Sequence, residues 1–324
     1  MAVARSSWSG ALVVIVGASL FGTLGTLSRL AYDDGLTPFA WVGWRAAIGA
    51  LGLWLVIARR EGWRSIPDGL RAATPAARRW LALGILSSAV LNLSMFVAFQ
   101  RTTIALALLV FYTYPAMIAG TAAVLGHERL DGARRLALVL ALAGMVGVVA
   151  GGMAPGASVT IDALGLGLAL LAAACQTVFM IASRGYSTIP TEDAMGSVLL
   201  GGAVIAILLS ALADGPAALA KPLGDPGLLA LLVGVGLFAA ALPSFLFLTG
   251  IRLLGPVRAG ILMLFEPVVG VALAAVVLGE GITALQVVGG ATILVAAGLV
   301  QRGAGTPREG ALVDAPVAPA PGGP

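Results

Sequence analysis

Long apolar segments separated by short stretches rich in Gly, Pro and charged residues run through most of the chain. Ten such segments lie near residues 10–31, 38–58, 80–99, 103–125, 134–151, 162–183, 194–212, 227–249, 256–278 and 284–301. Each has roughly the 17–25 residues that a helix needs to cross the hydrocarbon core of a bilayer. The segments are continuously apolar rather than alternating, which favours helices over the strands of a membrane barrel. The pattern predicts an all-α integral membrane fold of ten transmembrane helices.

The ninth apolar segment repeats the pattern of the fourth at an offset of 152 positions. Pro115 corresponds to Pro267 at this offset, and Glu128 corresponds to Glu280. The offset indicates that the ten helices are two copies of a five-helix unit. Because five helices cross the membrane an odd number of times, the second copy lies upside-down relative to the first. Such inverted repeats place a substrate site near the midplane, between the halves. The predicted units are a first repeat over 1–151, a second, inverted repeat over 152–301 and a disordered cytoplasmic tail over 302–324.

Composition excludes a soluble protein and several kinds of chemistry. Of the 324 residues, 59% are hydrophobic and 10% are charged, whereas a soluble domain has about 25% charged residues. The single Cys175 excludes an intrachain disulfide and a cysteine metal site. The single His127 and single Lys221 argue against most metal, P-loop and Schiff-base sites. We therefore predict no cofactor.

The distribution of basic residues predicts the orientation of the chain. Most arginines fall in one alternate set of the segments outside the spans, and the other set holds only Arg29, Arg101 and Lys221. The positive-inside rule then places both termini in the cytoplasm. The first apolar run is too long for a signal peptide, so we interpret it as a retained helix. The high pI reflects this orientation, and we predict no nucleic-acid partner.

Several short motifs occur in each half of the chain. They are Phe265-Glu266-Pro267-Val268, Leu278-Gly279-Glu280 and Gln286 in the second half, and Arg45, Tyr114-Pro115-Ala116 and Leu125-Gly126-His127-Glu128 in the first. Over about residues 10–301, this arrangement resembles the EamA family of the drug/metabolite transporter superfamily. The resemblance implies a carrier of the bacterial inner membrane, usually an exporter of amino acids, related metabolites or toxic compounds.

Glu266 is the acidic residue that we place inside a span. A charge in mid-bilayer costs about 2.5–3.5 kcal/mol or more, so the carboxylate needs a partner, a proton or water. It is either a group in a central cavity that responds to cations or protons, or a structural carboxylate satisfied by an arginine or by backbone freed at Pro267. Its counterpart in the first repeat is Tyr114, and this chemical inequality favours a specific site role.

Two prolines and one arginine complete the unusual residues within the spans. Pro115 and Pro267 each remove a helical hydrogen bond, and we predict hinges there, with static kinks as the alternative. Arg45 lies within the second span. It is a counter-ion for Glu266 or for a substrate carboxylate, or it reaches the outer interface beside an aromatic belt of tryptophans.

Polar side chains at helical spacing supply further cavity candidates. Isolated Ser and Thr more often bond their own helix backbone, whereas the amides of Asn92 and Gln176 need more partners. The predicted substrate-cavity residues are Glu266, Arg45, Asn92, Tyr112, Tyr114, Gln176, Ser19, Thr23 and Ser244.

These residues predict a secondary transporter rather than an enzyme. The main hypothesis is export of amino acids or related small metabolites by alternating access, and the alternative is export of cationic or aromatic drugs. A membrane enzyme would need converging nucleophile, base or metal ligands, which the sequence lacks. The predicted partners are a small-molecule substrate and the lipid bilayer, and the protein is predicted to be a monomer or a homodimer.

Overall fold

The computed structural model describes residues 2–62, 70–124, 131–153, 161–278 and 281–302, and every regular element in these ranges is helical. The unbroken helices are α2 (Pro38–Glu61), α3 (Pro75–Arg101), α5 (Gly132–Gly151), α6 (Ala163–Ala182), α7 (Thr191–Ala213) and α10 (Ala284–Arg302). The interrupted helices are α1 (Ala2–Gly22 and Leu24–Asp33), α4 (Ile104–Phe111 and Tyr114–Val124), α8 (Pro226–Gly234 and Leu242–Leu254, joined by a π-helix over Val235–Ala241) and α9 (Pro256–Met263 and Glu266–Leu278). Glu128, Glu280 and the predicted tail lie outside the described residues.

The chain is a multi-pass membrane protein. In the described ranges, nine helices are long and apolar enough to cross a membrane, with mean hydropathies from 1.5 to 2.3. The apolar part of α10, Ala284–Val300, is shorter than these nine. Large apolar side chains such as Leu12, Val139 and Leu294 are more than half exposed on the outside of the bundle. Such a surface suits lipid rather than water.

Polar caps fix where several helices begin. A side-chain oxygen one residue before the helix accepts a backbone N–H of the first turn, which would otherwise have no partner. Caps of this kind are made by Thr37, Thr74, Asp131, Asp162 and Asp225. At α10, Thr283 and Gln286 cap each other reciprocally. The Thr283 hydroxyl also donates to the Gly151 carbonyl at 3.0 Å, which ties the start of α10 to the end of α5.

Helix packing is almost unchanged when the two halves are exchanged. Helices α2 and α7 pack together, as do α5 and α10 and also α4 and α9. The remaining extensive contacts come in matching pairs, namely α3–α6 with α1–α8, α2–α8 with α3–α7, and α4–α6 with α1–α9. Within each matching pair, adding five to or subtracting five from the helix numbers of one contact gives the other contact. The described contacts therefore follow the same pattern in the two halves of the chain.

The contact between α5 and α10 depends on small residues. A Cβ at Gly289 would lie 2.5 Å from the Gly144 carbonyl oxygen and 2.7 Å from the Val148 nitrogen. A Cβ at Gly144 would in turn lie 2.6 Å from the Gly289 carbonyl oxygen. Backbone atoms occupy both positions, so a flexible side chain cannot move aside. Glycine permits the close approach of the two helix backbones that membrane bundles rely on.

We predict that Gly289→Ala destabilises the bundle by about 1–3 kcal/mol, because its methyl group overpacks against the α5 backbone. Gly298→Ala on the same helix is the matched control, since nothing lies within 4 Å of the position of its Cβ. Unfolding of both purified variants by denaturant measures the difference. Equal stability of the two variants would contradict the packing described here.

Candidate functional site

A cavity of about 1060 Å³ lies between the two halves of the bundle. Its wall includes Leu36, Pro38 and Thr103 at the ends of α1 to α4, so it reaches the face that carries the 34–37 turn. We call this the 34–37 face, and the opposite one, with the turn between α6 and α7, the 187–190 face. Ligand pockets usually measure about 300–1,000 Å³, so this cavity is slightly larger than the usual range.

Both α4 and α9 break at the same position of the repeat. The breaks lie at 112–113 and 264–265, which differ by the offset of 152. At both breaks, hydrogen bonds between residues three positions apart occur where a regular α-helix has bonds between residues four apart. Such tightening is expected within one turn before a proline. The matching pairs are Thr113 N to Val110 O (3.2 Å) with Phe265 N to Leu262 O (3.1 Å), and Ala116 N to Thr113 O (3.0 Å) with Val268 N to Phe265 O (3.1 Å).

The side chains beside these breaks gather in the cavity. Glu266 begins the second part of α9, and the Tyr112 side chain of α4 lies in hydrogen-bonding contact with its carboxyl group. The rings of Phe111 and Tyr114 pack at 5.3 Å between centroids, and those of Phe111 and Tyr112 at 5.4 Å. We call Phe111, Tyr112, Tyr114 and Glu266 the break cluster. It joins the two repeats at the cavity wall.

Two neighbouring helices hold the break cluster from behind. A Cβ at Gly22 of α1 would lie 2.6 Å from the Glu266 carbonyl oxygen, so only glycine lets α1 approach α9 this closely. In the other half, the Thr177 hydroxyl of α6 faces the Tyr114 carbonyl oxygen at 3.5 Å. Helices α1 and α6 thus support corresponding carbonyl groups in the two repeats.

A second polar group lies nearer the 34–37 face. Arg45 of α2 lines the cavity with only 9% of its surface exposed. Its Nη2 donates to Asn92 Oδ1 at 2.6 Å, and Asn92 Nδ2 donates to the Ser88 carbonyl oxygen at 2.8 Å. Trp41, one of the two tryptophans beside Arg45 in the sequence and a member of the belt that the interfacial alternative requires, is 1% exposed. Burial and the bond to Asn92 therefore contradict that alternative.

The cavity brings together most of the residues proposed from the sequence. Glu266, Arg45, Asn92, Tyr112, Tyr114, Gln176, Ser244 and Pro267 line it. Ser19 and Thr23 are not in its wall, and their hydroxyls donate to the Ile15 and Leu20 carbonyl oxygens of their own helix. Pro115 is buried in the core behind the break.

Sequence reasoning missed several residues of the cavity wall. Tyr32, Gln100 and the aromatic rings of Phe21 and Phe247 line the cavity. Tyr32 and Gln100 lie at helix ends beside charged residues, so they resembled ordinary interfacial positions. Phe21, Gly25 and Ser28 are spaced four and three residues apart, which places them on one face of α1. This spacing could have placed the Phe21 ring in the cavity.

Arg45 and Glu266 are the residues with charged side chains that line the cavity in the described part of the chain. They are not paired with each other, since Arg45 bonds Asn92 and Glu266 contacts Tyr112. The rest of the wall is largely apolar and aromatic. Among the described residues, no group of three or more His, Cys, Asp or Glu side chains is arranged to hold a metal ion.

At the 187–190 face, the described residues pack closely together. Arg252 near the end of α8 donates to Thr191 Oγ1 at 2.7 Å, to the Ile189 carbonyl oxygen at 2.8 Å and to the Tyr186 carbonyl oxygen at 3.2 Å. Tyr186 and Ile189 are at most 1% exposed. The helices that meet here, α6 to α9, are the counterparts of α1 to α4, which line the cavity at the other face.

Comparisons with known proteins agree with this architecture. The family model described as "EamA-like transporter family" matches residues 8–150 and again residues 163–302. In all, 28 chains of solved structures match the fold. One of them, titled "Crystal structure of protein", superimposes with a TM-score of 0.75 at 22% identity, covering 91% of this chain and 98% of that one. The comparison with curated proteins gives no match.

We predict that Tyr112 and Glu266 are energetically coupled. A hydrogen bond to a buried carboxyl group contributes about 1.5–3 kcal/mol when the group is charged. Denaturant unfolding of Tyr112→Phe, Glu266→Leu and the double variant should give a coupling energy of about 1–3 kcal/mol. The same cycle with Ser19→Ala, whose hydroxyl bonds its own helix, should give a value near zero. Equal coupling in the two cycles would refute the contact.

Proposed function

We propose a transport function on the premise that the chain belongs to the EamA-like transporter family, whose model matches two segments that together cover most of it. Members of this family are transporters rather than enzymes. The protein is proposed to be a secondary transporter of the bacterial inner membrane that exports amino acids or related small metabolites. Its ten helices form two inverted repeats, and both termini are cytoplasmic, so that the 34–37 face is external.

Alternating access is supported by the unequal state of the two faces. The cavity reaches the 34–37 face between α1, α2, α3 and α4, whereas their counterparts α6, α7, α8 and α9 are packed shut at the 187–190 face. A two-fold structure can exchange these two arrangements at little cost, because each half can adopt the packing of the other. The matching breaks in α4 and α9 supply the places where the backbone bends. In this interpretation Pro115 and Pro267 maintain hinges.

The assignment to amino acids depends on one observation. Among the described residues, the largely apolar cavity wall contains one arginine and one glutamate, which are not paired with each other. An amino acid carries the complementary carboxylate and ammonium groups on one small molecule. Its binding would satisfy both charges without water, whereas a neutral solute would leave both unsatisfied.

A second candidate function is export of cationic or aromatic drugs. The size of the cavity and the aromatic rings in its wall favour it. Phe21 packs edge-on against Phe247 and Phe179 stacks on Phe247, both at 6.3 Å between centroids. Aromatic faces and a carboxylate together bind organic cations. Cells that express the protein discriminate the two functions. Resistance to toxic amino-acid analogues favours the first, and resistance to cationic dyes favours the second.

Transport by purified protein in proteoliposomes tests the proposal directly. Vesicles are loaded with single labelled amino acids, and efflux is compared with that from protein-free vesicles. We expect saturable flux for at least one amino acid. Absence of flux for all of them, with protein that is folded and inserted, would refute the proposed substrate class.

We predict that Glu266→Gln lowers amino-acid flux at neutral pH by at least about tenfold, the effect of losing one charge-assisted contact. The variant should also flatten the pH profile. Binding of an ammonium group needs the ionised carboxylate, so wild-type flux falls as acid protonates Glu266, while Arg and Tyr do not titrate between about pH 5 and 8. Asp33→Asn, an exposed acid outside the cavity, is the control. An unchanged profile in Glu266→Gln would exclude a proton-dependent role.

We predict reciprocal changes in accessibility at the two faces. In a Cys175→Ser background, Ser28→Cys lines the open cavity, whereas Ala194→Cys lies in the closed face at 0% exposure. Without substrate, a maleimide probe should label the first site quickly and the second slowly. A transported substrate should slow the first reaction and speed the second. Labelling rates that do not respond, or that rise together, would contradict alternating access.

A further inference from the structure

The guanidinium group of Arg45 is only partly satisfied. One amino group donates to Asn92 at 2.6 Å, but Nε is buried and has no hydrogen-bond partner among the described residues. Arg45 lines the cavity and is about nine-tenths buried. A guanidinium has five N–H donors in a planar fork and no acceptor. Nε therefore has no acceptor among the described residues, and the rest of the guanidinium is free to bond to a molecule in the cavity beside Asn92.

A second unsatisfied donor lies beside it. The Tyr32 hydroxyl is buried and has no partner among the described residues, and Tyr32 interacts electrostatically with Arg45. Trp41 packs edge-on against the Tyr32 ring at 6.3 Å and holds its orientation. All three side chains line the cavity. Unpaired buried polar atoms are costly. Arg252 and Tyr186 at the 187–190 face leave the same two kinds of atom without partners among the described residues, but they do not line the cavity. Of the two pairs, Arg45 and Tyr32 are the one that a ligand in the cavity can approach.

The nearby charges decide which ligand fits. The other charged side chain of the described cavity wall, Glu266, contacts Tyr112 and is not paired with Arg45. A single guanidinium with one hydroxyl matches a monoanion with two oxygens, which is a carboxylate. A phosphate would bring a second negative charge with no second cation among the described lining residues. Asn92 fixes the guanidinium with its Oδ1 and leaves the charge of Arg45 uncompensated.

We infer that Arg45 and Tyr32 form a carboxylate-binding subsite, with Asn92 as the residue that positions Arg45. The inference rests on the proposed function, and it makes Arg45 the residue that distinguishes amino acids from amines and from cationic drugs. An amino acid places its carboxylate at this subsite and directs its ammonium group toward Glu266. A cation without a carboxylate leaves Arg45 unsatisfied.

The test compares three ligands that differ only in their charged groups. Because aromatic rings line the cavity, the probes are phenylalanine, 3-phenylpropanoate and 2-phenylethylamine, with leucine, 4-methylpentanoate and 3-methylbutylamine in parallel. Equilibrium binding to purified full-length protein is measured for the wild type, Arg45→Gln, Tyr32→Phe and Arg101→Gln. The last is the matched control, because Arg101 lies at the same face, pairs with Asp162 at 3.7 Å and is not in the cavity wall.

We expect Arg45→Gln to weaken binding of the amino acid and of the carboxylic acid by at least about tenfold. Its affinity for the amine should change less than twofold, and Arg101→Gln should match the wild type for all ligands. Tyr32→Phe removes a hydroxyl without a partner, so its thermal stability should not fall, yet carboxylate binding should weaken severalfold. This variant separates ligand binding from a structural role.

The remaining outcomes separate the two proposals. Binding of the carboxylic acids but not of the amino acids would support the subsite and refute the amino-acid assignment. Binding of the amines alone would refute the subsite and favour export of cations. Equal losses for all three ligands in Arg45→Gln, or no loss, would overturn the subsite, as would the failure of the wild type to bind any member of either series.

Discussion

The constraint on which the structure depends is a carboxylate placed inside an apolar bundle. An isolated charge there costs several kcal/mol, so the chain must supply a donor, water or an opposite charge. Glu266 begins a helix immediately after the break at 264–265, where the Tyr112 side chain of the other repeat contacts its carboxyl group. The cavity gives the same group access to solvent and ligands. The break, the tyrosine and the cavity therefore meet a single physical requirement together.

The two repeats have similar backbone conformations and different side chains at corresponding positions. Breaks at the same offset carry matching hydrogen bonds, and the helix contacts exchange when the halves are exchanged. At the corresponding positions, however, one copy has Tyr114 and the other has Glu266. Arg45 likewise lies on one half only. In the proposed mechanism, the similar backbones of the two repeats provide two equivalent arrangements, and the unequal side chains determine which substrate the cavity binds.

Much of this arrangement could be predicted because a duplicated backbone carries its breaks with it. The offset of the two prolines in the sequence is also the offset of the observed breaks. Side-chain orientation was harder to predict, since helices that are apolar on all sides do not indicate which face is buried. The sequence therefore allows the Arg45 side chain to lie either in the cavity or at the membrane interface. Tyr32 has the sequence context of an ordinary residue at a helix end. Ser19 and Thr23 are predicted to line the cavity, but each hydroxyl donates to a carbonyl oxygen of its own helix. The Asn92 amide donates to its own helix in the same way, and its Oδ1 remains available to accept a bond from Arg45.

If the protein works by the proposed alternating access, the same energetic reasoning places selectivity in the closing step as well as in binding. In the open cavity, water can solvate Arg45 and Glu266. Closing the 34–37 face would remove that water, and two separated charges without partners would then oppose closure. A zwitterion supplies the complement of both, so its binding stabilises the closed arrangement relative to the empty one. A ligand with only an ammonium group satisfies Glu266 and leaves Arg45 charged and dehydrated. Such a ligand would bind to the open cavity and yet be carried slowly, because the penalty falls on the conformational change.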